Sequence, residues 1–159
     1  MFLFNLFKKK LEWKRGEKTP VNYFVGALSS CGVTEKNVFE KRKKSNSLND
    51  ALWSVCNESL LKYKDLKKWD CVSYIYRQME YIILEEGKNV NYIVKQRLYY
   101  ELLRMKEQGF SLAIVVCIKD EACDACKKLD GMEMQIDEAI QKQVLPPSGC
   151  SCQRCTCSY

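Results

Sequence analysis

The fold of the C-terminal part of this chain is decided by Cys-Asp-Ala-Cys at residues 123–126 and by Cys-Ser-Cys-Gln-Arg-Cys-Thr-Cys at residues 150–157. A C-x-x-C turn directs two thiolates at one point, and a tetrahedral zinc ion completes its shell with two further sulfurs. The pattern therefore predicts a structural Zn²⁺ site. Its candidate ligands are Cys123, Cys126, Cys150, Cys152, Cys155 and Cys157.

Six thiolates exceed what a single tetrahedral zinc ion needs. Cys123 and Cys126 would supply half of the shell, and two of the tail cysteines would supply the rest. Cys150 with Cys155 is the preferred pair because the two residues stand at the ends of a tight turn. Cys152 with Cys155 comes second, and a binuclear cluster that uses all six cysteines is a further alternative.

Other uses of clustered cysteines are disulfide bonds and iron–sulfur clusters. A disulfide framework needs an oxidising compartment. The apolar residues 1–7 precede the lysines at 8–10, which is the reverse of the order in a secretory signal, so we expect reduced thiols and a cytoplasmic protein. The spacing also lacks the C-x-x-C-x-x-C run of many iron–sulfur sites, which favours zinc.

The chain contains no histidine, which removes several classes of catalytic site. Ser-His-Asp and Cys-His catalysis and H-E-x-x-H zinc sites all require that side chain. A metal site here must be all-thiolate, and such sites are more often structural than catalytic because no position stays open for water. No phosphate-binding G-x-x-x-x-G-K-S/T and no G-x-S-x-G is present. We therefore expect a protein that is not an enzyme.

The net charge of +6 lies entirely in the first third of the chain, because residues 1–50 hold 11 Lys/Arg and 5 Asp/Glu. Residues 1–18 form a basic amphipathic segment. One interpretation is a membrane-surface anchor through residues 1–15, with its aromatic side chains near acyl chains and its lysines on anionic headgroups. The preferred interpretation is that these aromatic side chains pack on the rest of the protein. They are Phe2, Phe4, Phe7 and Trp13.

Residues 19–109 predict a helical domain. Thr19 before Pro20 predicts the start of a first helix that stops near Gly32, and Thr34 begins a second. Three longer amphipathic helices follow, with apolar residues at i, i+3 and i+4 spacing. They run from a capping box at Ser47 and Asp50, over residues 67–86 to Gly87, and over residues 89–108 to Gly109. Short connections predict an antiparallel bundle or an array of helical hairpins.

Residues 110–159 predict a small cysteine-rich, zinc-binding module. A buried strand is expected in the apolar run at residues 110–118, with Cys117 inside it as a core thiol. Residues 132–136 can return as a second strand, and Asp137 caps a short helix. Strand, C-x-x-C knuckle and strand resemble a zinc ribbon. The predicted fold class is thus α+β, mostly α.

The residues Cys-Asp-Ala-Cys-Lys-Lys-Leu-Asp-Gly at 123–131, followed by Leu-Pro-Pro-Ser-Gly-Cys-Ser-Cys at 145–152, resemble a known signature. It is the C-terminal signature of the phage Mu F-like head-morphogenesis proteins. The resemblance covers about a quarter of the chain, roughly residues 117–157. It implies that Cys123, Cys126 and cysteines of the final cluster bind metal, that the source is a phage or a prophage-bearing bacterium, and that the role lies near capsid assembly.

Three functions follow as expectations. The first is a non-enzymatic protein-interaction module with a structural zinc site, acting on a host protein or a capsid component. The second is a nucleic-acid-binding zinc ribbon; the basic run at residues 41–44 could contact phosphate, but residues 110–159 hold 5 Lys/Arg and 7 Asp/Glu, so the zinc module is net acidic. The third is a peripheral membrane protein held by residues 1–15.

Overall fold

The computed structural model describes residues 13–159, which form seven α-helices and one two-stranded antiparallel sheet. The protein is therefore mostly helical with a small β part, as predicted. In chain order the elements are α1 (Lys18–Ala27), a 3-10 turn (Ser29–Cys31), α2 (Glu35–Arg42), α3 (Leu48–Asp65), α4 (Trp69–Glu85), α5 (Asn91–Glu107), β1 (Leu112–Ile114), α6 (Asp124–Lys127), β2 (Glu133–Gln135) and α7 (Ile136–Lys142).

The expectations for Phe2, Phe4 and Phe7 fall outside the described residues. Trp13, the first residue described, is half-buried against α2: its indole Nε1–H donates to Glu35 Oε1 at 2.6 Å, and its ring meets the Phe39 ring edge-on at 5.2 Å between centroids. This aromatic side chain therefore packs on the helical body. None of the helices within residues 13–159 is long and apolar enough to cross a bilayer.

The first helix starts earlier than the sequence predicted. Its N-cap is Glu17, without a side-chain cap, so Thr19 is not the capping residue. Pro20 instead occupies the third position of the first turn. Backbone N–H groups in the first turn have no acceptor within the helix, so the missing N–H of proline costs no helical hydrogen bond. The prediction was wrong because a first-turn proline fits any of the first positions equally well.

The next two helices begin as predicted. Thr34 accepts from the backbone N–H of Asn37, and Ser47 accepts from the backbone N–H of Asp50. In both cases the third-position side chain also accepts from the N-cap backbone, which completes a capping box. Such a pair of hydrogen bonds satisfies two otherwise orphaned donors, so the starts of α2 and α3 are encoded locally.

The ends of α4 and α5 are also encoded locally, by glycines in the left-handed region. Gly87 (φ 71°) and Gly109 (φ 86°) each follow the C-cap. The residue after each glycine donates back to the helix, Lys88 N–H to the Ile83 carbonyl and Phe110 N–H to that of Met105. This is the Schellman arrangement, which favours glycine because it carries no Cβ. Both helix ends confirm the sequence prediction.

Consecutive helices pack against each other from α2 to α5, and α1 packs on α2 and α4. The apolar faces predicted for α3, α4 and α5 are the buried ones. Their fully or almost fully buried members include Leu52, Val55, Val72, Ile75, Met79, Val94 and Leu98. The same hydrophobic core continues into the C-terminal part through residues such as Val115, Leu145 and the four buried cysteines Cys117, Cys126, Cys155 and Cys157. The helical part and the cysteine-rich part therefore share one core.

The strand predicted at residues 110–118 is shorter and less buried than expected. Only β1 is regular, pairing with β2 from Leu112 opposite Gln135 to Ile114 opposite Glu133, and Val116 adds one bridge to Ser158. Buried and exposed side chains alternate from Leu112 to Ile118, because a strand presents successive residues to opposite faces. Its buried members are Ala113, Val115 and Cys117, and its exposed members are Phe110, Leu112, Ile114, Val116 and Ile118.

The second strand lies within the predicted range, whereas the capping prediction for Asp137 was wrong. The last helix, α7, starts at Ile136 after Gln135, and Asp137 lies in its first turn. There the carboxylate pairs with Lys106 of α5. A small second core joins the sheet and α7 to α5. It consists of Leu102, Ala113, Met134, Ile136 and Ala139. The zinc-ribbon-like character of this part stays a prediction.

A buried ion-pair network joins the helical part to the tail. Glu80 of α4 is fully buried, and its two carboxylate oxygens accept from Arg97 Nε of α5 at 2.6 Å and from Arg154 Nε of the tail at 3.1 Å. Arg97 also donates to Glu101, its neighbour one turn on. A buried carboxylate is stable only when opposite charges replace its lost water, so Glu80 requires both arginines.

We predict that Glu80→Gln lowers the free energy of unfolding by about 3–5 kcal/mol, since it leaves the buried Arg97 without its main counter-charge. Urea unfolding followed by far-UV circular dichroism measures the effect. Glu85→Gln, on the exposed side of the same helix, is the matched control and should stay within about 0.5 kcal/mol of the unmodified protein. Equal stability of the two variants would contradict the role given to the network.

Candidate metal centre

The C-x-x-C knuckle lies at the start of the one-turn helix α6. Cys123 is the N-cap and Cys126 lies inside the turn, so both sulfurs face the same side. Cys126 is completely buried, whereas Cys123 is half-buried. After the turn, Leu129, Asp130 and Gly131 lead to β2, and the backbone N–H of Cys117 donates to Asp130 Oδ1 at 2.9 Å. The predicted turn therefore also positions the end of residues 110–118, which contain β1 and which we refer to as the β1 segment.

Hydrogen bonds to its backbone hold the C-terminal tail, residues 150–157, against the start of α5. Asn91 uses both ends of its amide: Nδ2 donates to the Cys152 carbonyl at 2.9 Å, and Oδ1 accepts from the Cys155 N–H at 2.8 Å. The Val90 N–H donates to the Gln153 carbonyl at 3.0 Å. These bonds fix the backbone of the tail and direct its cysteines inward to the knuckle.

Four sulfurs form a first group at the knuckle. The Sγ atoms of Cys123, Cys126, Cys150 and Cys152 all lie within 4.8 Å of one another. Cys126 Sγ is 3.6 Å from both Cys123 Sγ and Cys150 Sγ. With Zn–S bonds of about 2.3 Å, the sulfurs of a tetrahedral site stand about 3.8 Å apart. The described residues thus place four thiols where they could hold one metal ion.

Two further sulfurs form a second group with Cys126. Cys126, Cys155 and Cys157 lie within 4.8 Å of one another, and all three are buried. Cys126 Sγ is 3.6 Å from Cys155 Sγ. Cys157 Sγ in turn lies 2.7 Å from the Sγ of Cys117, a buried residue on the β1 segment. Cys126 therefore belongs to both groups of sulfurs.

All six cysteines predicted as metal ligands lie in this cluster. The structure groups Cys150 with Cys152 at the knuckle, whereas the preferred pair from the sequence was Cys150 with Cys155. Cys155 Sγ is nevertheless as close to Cys126 Sγ, at 3.6 Å, as the sulfurs of Cys123 and Cys150 are.

Sequence reasoning placed Cys117 in the core and did not include it in the cluster. The signal was present in the alternation of the strand run, which puts Cys117 on the same face as Ala113 and Val115. The remaining three cysteines lie in the helical part. Cys31 and Cys71 contact each other, and Cys56 lies apart from them. Burial raises the pKa of the Cys56 thiol to about 12. That thiol is therefore protonated at neutral pH and behaves as a small apolar side chain.

The backbone of the knuckle stabilises one thiolate in particular. The N–H groups of Cys126 and Ser151 donate to Cys123 Sγ and lower the pKa of this thiol to about 5. Hydrogen bonds to the charged form of a group favour that form. Cys123 is therefore a thiolate at neutral pH, which is the state that binds metal.

The thiols around Cys123 shift in the opposite direction. Burial raises the pKa of Cys126, and neighbouring cysteine sulfurs raise it further. Burial likewise raises the pKa values of Cys150, Cys152 and Cys157. Several thiols packed at one point cannot all ionise without a cation, because their negative charges repel. A bound metal ion would supply the positive charge that lets them ionise together.

Comparisons of this chain with protein-family models, with curated proteins and with solved structures found no match. The geometry of the residues themselves therefore carries the interpretation of the cluster.

We predict that Cys123 is the first cysteine of the cluster to react with iodoacetamide in protein stripped of metal. Its thiolate persists down to about pH 5, so the rate should reach half its maximum near that pH. Cys152 is an equally half-buried control in the same cluster whose pKa is raised by burial, and its rate should reach half its maximum at a higher pH than that of an ordinary thiol. Peptide mass spectrometry gives both rates. Identical pH profiles for the two residues would contradict the hydrogen-bond assignment.

Proposed function

We propose that the protein is a non-enzymatic protein-interaction module whose C-terminal part is held by a structural zinc ion. The observation that carries the proposal is the first group of sulfurs, Cys123, Cys126, Cys150 and Cys152, within 4.8 Å of one another. The knuckle and the tail are separated by 24 residues along the chain at Cys126 and Cys150, so the ion would close a long loop. Closing such a loop is the usual task of a structural metal site.

Zinc is the ion that fits this donor set. Four thiolates without histidine, carboxylate or water are typical of structural zinc sites, in which no ligand position is open to a substrate. The same chemistry argues against catalysis at the cluster. A groove of about 550 Å³ beside α1 and α4 has an apolar lining with Glu85 as its only carboxylate among the described residues, which offers no acid–base pair. These features support a structural role for the metal.

A row of exposed apolar side chains supports the interaction role. Five alternate residues along the β1 segment are between 38% and 54% exposed. The five are Phe110, Leu112, Ile114, Val116 and Ile118. We refer to these five side chains as the apolar row. Contiguous exposed apolar surface is costly in water and often marks a contact with another molecule. The apolar row lies on the β1 segment, and Cys117 at the end of this segment contacts the cysteine cluster. A metal ion in the cluster would therefore stabilise the conformation of the row.

The likeness of residues 123–131 and 145–152 to the phage Mu F-like signature suggests where a partner should be sought. A host protein or a capsid component is the first class of partner to test. Cytoplasmic localisation accords with reduced thiols at the cluster and belongs to the same proposal.

The nucleic-acid alternative has less support from the basic run at residues 41–44. Three of its four side chains pair with acids: Lys41 with Glu58, Arg42 with Glu17, and Lys43 with Glu40. Cations already paired within the protein are less available to phosphate. The membrane alternative depends on residues 1–15, of which Trp13 packs on α2. Salt-sensitive binding to DNA, or liposome binding that is lost when residues 1–15 are deleted, would favour these alternatives.

We predict that Cys123→Ser removes the zinc ion and releases the tail while the long helices stay folded. Hydrogen–deuterium exchange should rise at residues 145–152, which carry the two tail sulfurs of the first group, and remain slow in α3 and α4, because this zinc ion joins only the knuckle to that part of the tail. Cys123 is half-buried, so its loss disturbs packing little. Cys56→Ala is the control, since it removes a buried thiol away from the cluster. Normal metal content in Cys123→Ser would contradict the site assignment.

We predict that a photo-crosslinking amino acid at Val116 captures a protein in the cells that make this chain. Leu61 on α3 is 70% exposed, lies outside the apolar row and is the control position, where the same capture should be absent. The capture at Val116 should also weaken in the Cys123→Ser background, because loss of the first ion loosens the knuckle, whose Asp130 side chain holds the end of the β1 segment. Crosslinks to nucleic acid or lipid, or equal capture at both positions, would contradict the interaction role.

A further inference from the structure

We propose that the cysteine cluster binds two metal ions that share the sulfur of Cys126. The first ion is the zinc ion of the proposed function, on which this inference rests. The second ion would be held by Cys117, Cys126, Cys155 and Cys157. Cys117 thereby becomes a metal ligand, and all seven cysteines between residues 117 and 157 are used.

The number of sulfurs around Cys126 is too high for one ion. In a tetrahedral site each sulfur has only three sulfur neighbours. Cys126 has five within 4.8 Å, in two groups that meet only at Cys126 itself. They are Cys123, Cys150 and Cys152 on one side and Cys155 and Cys157 on the other. A sulfur shared by two tetrahedra has six neighbours, so the second tetrahedron needs one more ligand.

Cys117 is the residue that completes the second tetrahedron. Its Sγ lies 2.7 Å from Cys157 Sγ and 3.3 Å from the carbonyl oxygen of Cys126, so it contacts one sulfur of the second group. It does not lie within 4.8 Å of all three sulfurs of that group, so binding of the second ion would draw its side chain toward Cys126 and Cys155. Atoms of this size that are not bonded to each other stay about 3.5–4 Å apart. The fold therefore places the sulfur atoms of Cys117 and Cys157 in direct contact. A metal ion between them would separate the two sulfurs to a tetrahedral edge of about 3.8 Å.

The second ion would join a different pair of segments from the first. Cys117 ends the β1 segment, and Cys157 lies next to Ser158, whose backbone exchanges both N–H···O hydrogen bonds with Val116 at 2.9 Å. The bridge aligns the two strands so that the side chains of Cys117 and Cys157 meet. The first ion would thus fasten the tail to the knuckle, and the second would fasten it to the strand that carries the apolar row.

The burial of the second group distinguishes it from the first. Cys126 and Cys155 are fully buried, Cys157 is 1% exposed and Cys117 is 6% exposed. No position is open to water, so this site too would be structural. A thiolate sulfur has lone pairs for two metal ions, and a shared thiolate reduces the negative charge that two separate four-thiolate sites would place in the core.

The test is ¹¹³Cd NMR of the full-length protein after its zinc has been exchanged for ¹¹³Cd²⁺. Two resonances at shifts typical of four-sulfur coordination are expected, and each should be split by the other. Such splitting passes through a shared sulfur and is absent between ions that share no ligand. Metal analysis of the same sample should give two cadmium ions per chain that survive dialysis against a weak chelator.

Single substitutions then assign the ligands. Cys117→Ala should remove one cadmium ion and abolish the splitting while leaving the first-site resonance. Cys152→Ala should remove the other resonance, and Cys56→Ala should leave both ions and their splitting intact as the control. If Cys117→Ala fails to fold, the splitting in the unmodified protein still decides the question.

Different failures contradict different claims. One cadmium ion per chain, or two unsplit resonances, would overturn the shared-sulfur site and leave the proposed function standing. A Cys117–Cys157 disulfide, detected as the loss of two hydrogens from the mass of the metal-free chain, would also overturn it. The absence of any firmly bound ion would overturn both the second site and the proposed structural zinc.

Discussion

The convergence of cysteine sulfurs on the buried Cys126 is the constraint on which the C-terminal part of the structure depends. The elements around it are very short: β1 and β2 have three residues each and α6 has four. Elements of this length are not stable by themselves in water. They are ordered because they lie between α5, which supplies an apolar surface, and the sulfur cluster, which joins knuckle, strand and tail.

Approximate free energies indicate that hydrogen bonds alone are insufficient to order the backbone of the tail. Ordering the backbone of residues 150–157 costs roughly 8–16 kcal/mol at about 1–2 kcal/mol per residue. The hydrogen bonds from Val90 and Asn91 contribute about 1 kcal/mol each. This leaves roughly 5–13 kcal/mol, which is comparable with the roughly 10–16 kcal/mol that a structural zinc ion can contribute. The hydrogen bonds therefore choose the position of the tail, and the metal would supply most of the energy that keeps it there.

The helical part was largely predictable because its signals are local. Capping boxes at Ser47 and Thr34 and glycines at 87 and 109 set helix ends through contacts within a few residues. Apolar spacing then identified the buried faces. The prediction for Thr19 was wrong because the position of a first-turn proline is not fixed by its own chemistry. The apolar composition of residues 110–118 predicts a fully buried strand. The strand is buried on one face only, because every second side chain from Leu112 to Ile118 is exposed.

The cluster was predictable in its members but not in its arrangement. The spacing identified six cysteines as candidates, but it does not indicate which sulfurs come together. That depends on where the fold places the backbone of the tail, which residues far away in the chain such as Asn91 hold in position. Cys117 enters through the bridge between Val116 and Ser158, a pairing across 42 residues that no local pattern records. The ion-pair network of Glu80, Arg97 and Arg154 likewise joins three separate segments.

The most direct measurement is native mass spectrometry of the full-length chain purified without added metal, with thiol counting after denaturation in a chelator. If the cluster holds metal, the protein carries a mass excess that corresponds to bound zinc, together with ten alkylatable thiols, the full number of cysteines in the chain. A metal-free mass with fewer than ten thiols would contradict the metal site, because the cysteines around Cys126 would then be joined by disulfide bonds rather than by a metal ion.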